Sequence, residues 1–131
     1  MLVDTLGLVV ALVVHEADIQ DRDGAKILFE KGKNDSKTIK KVWCDGGYRG
    51  KLIEWVKKKY RIELEHIPKP EGQKGFAVLP RRWVVERTFA WLYRYRRLNK
   101  DYEFLIETSE NMIYLCMINI LLRRFGKTQK A

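Results

Sequence analysis

A chain of 131 residues has room for one domain, and with 46% hydrophobic residues it can build a core, which excludes wholesale disorder. Its formal charge of +9 points to a polyanionic partner, nucleic acid first, with a generic basic surface as the plain alternative. Two cysteines, Cys44 and Cys116, lie far apart and outside any Cys/His cluster, which argues against a disulfide framework or a zinc site and fits a reducing cytoplasm.

Met1 to Val14 is rich in Val and Leu, with an unbroken apolar run from Leu6. It reads as a strand buried on both faces, or as two short strands meeting near Gly7. The run is far short of the roughly 20 residues that span a bilayer, and no basic segment precedes it as in a signal peptide. A central strand needs neighbours on both sides, and the later segments offer few. The sheet is therefore expected to have elements upstream of Met1.

His15 to Asp23 is polar and acidic, offering Asp18 or Asp21 as the cap of a helix that Ile27, Leu28 and Phe29 would seat on the sheet. Glu16, Asp18, Asp21 and Asp23 could hold a metal, but acids at a helix start are favoured by the macrodipole anyway, and the structural reading is preferred. Lys31 to Lys41 reads as a solvated loop, and Lys41 to Cys44 as a short buried strand. Asp45-Gly46-Gly47-Tyr48-Arg49-Gly50 is a turn. A helix over Lys51 to Tyr60 would carry Leu52, Ile53, Trp55 and Val56 inward and Lys57, Lys58 and Lys59 outward. Arg61 to Ile67 alternates with period two, as an edge strand does. Pro68 to Gly75 reads as a mobile loop.

The long Arg-rich segment from Arg81 is the centre of the chain. As a helix it aligns Arg82, Glu86, Ala90, Tyr93 and Arg97 on one stripe, with Val85, Phe89 and Leu92 on an apolar neighbour. Glu86 is then a carboxylate on a rigid element in basic surroundings. The bland alternative is a surface acid paired with Arg82 and Arg87. Asn99 to Glu103 breaks the helix, and a last one runs from Ser109 to about Phe125, capped by Thr108 or Ser109. Residues 81–131 hold eleven Lys/Arg against five Asp/Glu, most of the positive excess. Alternating strands and helices make this an α/β chain.

Asp45 supplies a second carboxylate. It follows a strand directly, where ligands of open α/β sheets collect, and two glycines after it let other groups approach. An ordinary Asp-Gly turn would look the same. Forty residues separate Asp45 from Glu86, room for a helix and an edge strand before the chain returns. Two carboxylates together on a basic surface could hold divalent metal at a phosphodiester, where two ions about 3.5–4 Å apart clamp an in-line displacement.

Val42-Trp43-Cys44-Asp45-Gly46-Gly47-Tyr48-Arg49-Gly50, followed by Arg82-Trp83-Val84-Val85-Glu86-Arg87-Thr88-Phe89-Ala90-Trp91-Leu92 and Arg96-Arg97-Leu98, resembles the DDE transposases of bacterial insertion sequences, in particular the families numbered four and five. Val3 to Leu8 and Ala17 to Ala25 match as well, so the resemblance covers nearly the whole chain. It implies a ribonuclease-H-like fold with three acidic metal ligands, Asp45 the second and Glu86 the third. It also implies Mg²⁺ as cofactor, with Mn²⁺ able to substitute. Arg82 matches the family's Arg four residues before the Glu and would contact phosphate, joined by Arg87, Arg94 and Arg97 on the DNA side. The family's Tyr position is Leu79 and its Lys position Tyr93, both departures, with Arg94 or Arg97 as replacements for the Lys.

In that family the first acid lies upstream of the Val-Asp-Thr-Leu-Gly-Leu segment, so Asp4 is not expected to be it. Residues 1–131 are then one partial catalytic domain, the C-terminal portion of a transposase lacking its first strands. The expected function is metal-dependent cleavage and transfer of insertion-sequence ends, inactive in this chain alone. The expected partners are DNA, a second copy or an upstream transposase fragment, and no membrane. The competing reading is a non-catalytic module that binds DNA or transposase and inhibits transposition.

Overall fold

The computed structural model describes residues 1–32, 38–48, 50–68, 81 and 83–128. In chain order it forms β1 (Leu2–Val3), β2 (Val9–Ala11), α1 (Asp21–Lys31), β3 (Lys41–Cys44), a 3₁₀ turn (Gly46–Tyr48), α2 (Lys51–Tyr60), β4 (Glu63–His66), α3 (Trp83–Leu92), a second 3₁₀ turn (Arg96–Leu98) and α4 (Ile106–Thr128). No helix among the described residues is long and apolar enough to cross a membrane.

The N-terminal apolar run is two strands, β1 and β2, paired antiparallel. Asp4 makes the turn between them: its Oδ1 accepts the N–H groups of Leu6 and Leu8 at 2.9 and 2.8 Å, leaving Gly7 at φ +80°. β3 and β4 form a separate parallel pair, with Val42 opposite Leu64 and Trp43 opposite Glu65. Parallel strands need a crossover, and α2 supplies it. Among the described residues the sheet is thus split into two two-stranded pieces, and β3 is half-buried rather than the enclosed strand the sequence suggests.

Each piece carries its own core. Ala25 and Phe29 of α1, Leu52 and Val56 of α2, and Ile62 and Leu64 pack on one face of β3–β4. The opposite face is polar. There Lys41 bridges Glu63 and Glu65, and the Trp43 indole N–H donates to Glu65 at 2.9 Å. Leu92 of α3 joins Cys116 and Met117 of α4 in the second core, with Leu8 and Val9 of the hairpin against them. Glu110 ties α4 to the segment after β2 and to α1. It accepts the Val14 N–H at 3.0 Å and pairs with Lys31 at the C-terminus of α1.

Burial opposes the ionised form of Glu110, yet the Lys31 and Val14 hydrogen bonds outweigh it and hold its carboxyl below the usual range. A carboxylate depressed by folding stabilises at pH above its unfolded value and loses that contribution as pH falls through the folded one. Stability should therefore decline on acidification below about pH 4.5, and Glu110→Gln should flatten that decline at a cost of about 1 kcal/mol at neutral pH. Chemical denaturation across pH measures both. An unchanged acid limb in the variant would refute the assignment.

Several expected boundaries shift for identifiable reasons. α1 starts at Asp21 after Gln20, not at an Asp cap, and it seats on the sheet through Ala25 and Phe29 while Ile27 faces solvent. α3 ends at Leu92, so Tyr93 and Arg97 do not continue the stripe of Glu86 and Ala90. Its buried positions are Val84, Thr88 and Leu92, and Phe89 is 46% exposed. Thr88 can be buried because its hydroxyl finds the carbonyls of Gly7 and Val84 at 2.7 and 3.0 Å. α4 begins at Ile106, three residues early, where the Leu105 carbonyl accepts the N–H groups of Thr108 and Ser109. From residue 69 the loop expected over Pro68 to Gly75 lies outside the described residues, as do positions 33–37 of the earlier loop.

Candidate functional site

Asp45 stands exposed at the carboxyl end of β3. Its Oδ1 accepts the Gly47 N–H at 3.1 Å, and its carbonyl accepts the Tyr48 N–H at 3.3 Å, so the carboxylate is held on a short, defined turn. Gly47 is where a side chain would intrude. A Cβ there would lie 3.4 Å from Asp45 Oδ1 and 3.6 Å from an oxygen of Asp21, the first residue of α1. Two carboxylates therefore come near each other at this turn, and one of them, Asp21, belongs to the acidic cluster for which helix capping was preferred over metal binding. Burial pushes the Tyr48 hydroxyl pKa up, and the charges of Asp21 and Asp45 add to that. Burial, then the Asp45 charge, pushes the Cys44 thiol to about 11, so it stays a protonated structural thiol.

Glu86 lies exposed in the first turn of α3, where the helix dipole favours a negative charge, and it already takes part in an interaction within the chain. Two contacts fix that helix. Thr88, two residues after Glu86 and on the buried side of the helix, bonds the Gly7 carbonyl of the β1–β2 turn. Ahead of the helix, Arg81 lies with its guanidinium 3.9 Å from the centre of the Trp43 ring, on the polar face of β3–β4. Trp43 is two residues before Asp45 and Arg81 five before Glu86. The two acid-bearing segments are thus docked on each other through a cation–π contact between residues 38 positions apart, which no local pattern announces.

The arginines divide. Arg87 packs its guanidinium between Trp83 at 4.4 Å and Trp91 at 4.9 Å, with its Nε buried and without a hydrogen-bond partner. Arg124 of α4 covers Trp91 at 4.6 Å. Arg97 donates from Nε and Nη2 to Glu103 at 3.1 and 2.7 Å. Arg94 is exposed just past α3. Arg82 lies outside the described residues. His15 is tied to the Glu16 carbonyl at 2.8 Å and packs on Gly24, a structural role.

Among the described residues no three His, Cys, Asp or Glu side chains gather closely enough to hold a metal ion by themselves. That donor set still suits Mg²⁺, which uses one or two carboxylates and takes its other oxygens from water and substrate phosphate. Asp45 fits that demand, being exposed, anionic in type and rigidly placed.

Comparison with curated proteins and with solved structures returns no match. The family pattern described as "Transposase DDE domain" matches residues 1–121, nearly the whole chain, and the chain belongs to that transposase family.

Proposed function

We propose that this chain contributes Asp45 and Glu86 as two of the three metal-binding carboxylates of a DDE transposase, on a ribonuclease-H-like core whose first acid comes from polypeptide outside these residues. The observation that carries the reading is the docking of Arg81 on Trp43. It brings the segment leading into Glu86 against the strand that ends at Asp45. The split of the sheet into two pieces supports it further, since a strand between them would join β1–β2 to β3–β4.

In the complete site the metal ions would activate the attacking oxygen and stabilise the leaving one at a phosphodiester. What this chain's residues do is positional. The Asp45–Gly47 turn fixes one carboxylate at a strand end, and the Thr88–Gly7 bond fixes the helix that carries the other. Arg82 and the exposed Arg94 would neutralise phosphate charge, Arg97 after release from Glu103. The test is cleavage of duplex DNA carrying the ends of the element, with Mg²⁺ or Mn²⁺. The chain alone should leave the DNA intact, and a polypeptide that adds the upstream acid-bearing strand should restore cutting. Full cleavage by residues 1–131 alone would refute the three-acid division.

The arginine geometry supports a second measurement. Arg94→Ala should shallow the salt dependence of DNA affinity by about one unit of slope, the signature of one lost phosphate contact. Arg87→Ala should instead lower stability by about 1–2 kcal/mol, because two indoles lose their cation, and leave the slope unchanged. Equal slopes for wild type and Arg94→Ala would remove Arg94 from the interface.

The competing reading, a non-catalytic DNA-binding module, rests on the basic charge of residues 81–131. It predicts DNA binding that survives loss of both acids and no metal-dependent cutting in any assembly.

A further inference from the structure

Among the described residues two that are not glycine have positive φ, Arg61 at +58° and Arg81 at +69°. Arg61 has an ordinary reason, since it closes α2 in the left-handed conformation that helix ends use. Arg81 stands ahead of a helix, where extended backbone is the rule, and its conformation answers no capping need. A residue so strained persists only where its surroundings hold it, and such residues gather at functional sites.

What holds Arg81 is the polar face of β3–β4. In the parallel register Trp43 lies beside Glu65, and Lys41 beside Glu63. The Trp43 indole N–H donates to Glu65 at 2.9 Å, and Lys41 reaches the same carboxylate at 2.6 Å. The ring is thereby pinned, and the Arg81 guanidinium lies 3.9 Å from its centre. Hydrogen bonds from Lys41 and Trp43, then the Arg81 charge, hold the Glu65 carboxyl below its usual range.

The Arg81 carbonyl accepts the Val84 N–H at 3.4 Å, so the backbone there aims the first turn of α3. Glu86 lies between that point and Thr88, which is tied to the hairpin. α3 packs on β1 and α4 in one core, whereas Asp45 follows β3, whose Val42 and Cys44 pack on the other. The Arg81 contact spans the two. We propose that Arg81 is a positioning residue for DNA cleavage, held through Trp43 and Glu65 so as to set where Glu86 stands relative to Asp45. The proposal rests on those two acids being metal ligands. A displacement of about 1 Å at such a site costs on the order of a hundred-fold in rate.

With the upstream acid-bearing polypeptide present, Arg81→Ala should lower kcat for element-end DNA about a hundred-fold and move KM by less than about three-fold. Trp43→Leu should do the same, and the double variant should be no slower than either, because both remove one contact. Glu65→Ala should cost about ten-fold, and Glu65→Gln, which still accepts the indole N–H, should recover most of it. In the purified chain, exchange of the Val84 amide hydrogen should quicken about ten-fold in Arg81→Ala, a measurement that needs neither metal nor DNA. Asp45→Asn cutting at the wild-type rate would sink the metal-ligand reading and the proposal with it. Arg81→Ala cutting within about three-fold of wild type, where Asp45→Asn does not cut, overturns the proposal alone. So does a raised KM with a shallower salt dependence, which would make Arg81 a phosphate contact. Additive losses in Arg81→Ala and Trp43→Leu, or unchanged Val84 exchange, also refute it.

Discussion

Asp45→Asn and Glu86→Gln should each lower Mg²⁺-dependent cleavage of element-end DNA by about a thousand-fold or more, measured with the upstream acid-bearing polypeptide present. A thousand-fold is about 4 kcal/mol of transition-state stabilisation, within what one charged metal ligand supplies. The substitutions suit the purpose because they change charge and little else. The asparagine keeps an oxygen to accept the Gly47 N–H, so the turn that holds position 45 survives. Glu86 is on the exposed side of α3, away from Val84, Thr88 and Leu92, so its replacement leaves the packing alone. Stability and DNA affinity should therefore remain near wild type while the rate collapses. Were the double variant to cut DNA within ten-fold of wild type, neither residue would be a metal ligand.

The largest stability effect should come from Gly7→Val. Gly7 sits at φ +80°, a conformation that costs a β-branched residue about 1–3 kcal/mol. A Cβ there would also meet Thr88 Oγ1 at 2.9 Å and the Trp91 ring at 3.0 and 3.1 Å, and inserting carbon into such packing costs about 1–3 kcal/mol more. The sum, about 2–6 kcal/mol, is a large part of the margin of a small domain. The consequence reaches the candidate site, since the Gly7–Thr88 contact holds α3 and with it Glu86. Gly50 is the control. It has the same φ, +80°, but nothing lies within 4 Å of its Cβ position, so Gly50→Ala should cost only about 1 kcal/mol. Urea unfolding of both variants measures the difference. Equal losses would mean that the backbone conformation, not the contact with α3, matters at Gly7.

The regular elements with strong local pattern were legible from residue order. Lys41–Cys44 and Lys51–Tyr60 fall where the apolar spacing placed them, and the period-two alternation of Arg61 to Ile67 marks β4. Local spacing did less well at element ends, where several patterns fit equally. At Asp18 and Asp21 two caps were open, and the helix took neither, starting after Gln20. On α3 Leu92 is buried as expected, but the rest of the buried face turns by one position, from Val85 and Phe89 to Val84 and Thr88, because a polar residue becomes a core residue once Gly7, 81 positions away, offers its carbonyl.

The sequence by itself determined the charge, the α/β pattern, the motif around Asp45 and Glu86, and through that motif the transposase family. Those properties belong to single residues or to neighbours along the chain, where side-chain chemistry and period carry the information. Only the tertiary structure decided that Asp21 approaches Asp45 across Gly47, that Arg81 lies on Trp43, and that Arg87 is stacked between two indoles rather than held out to solvent. It also left one apolar face of α4 open. Each of these joins residues from separate elements, and no local pattern encodes such a meeting. It depends on how the two cores are packed, which burial of apolar surface settles for the chain as a whole.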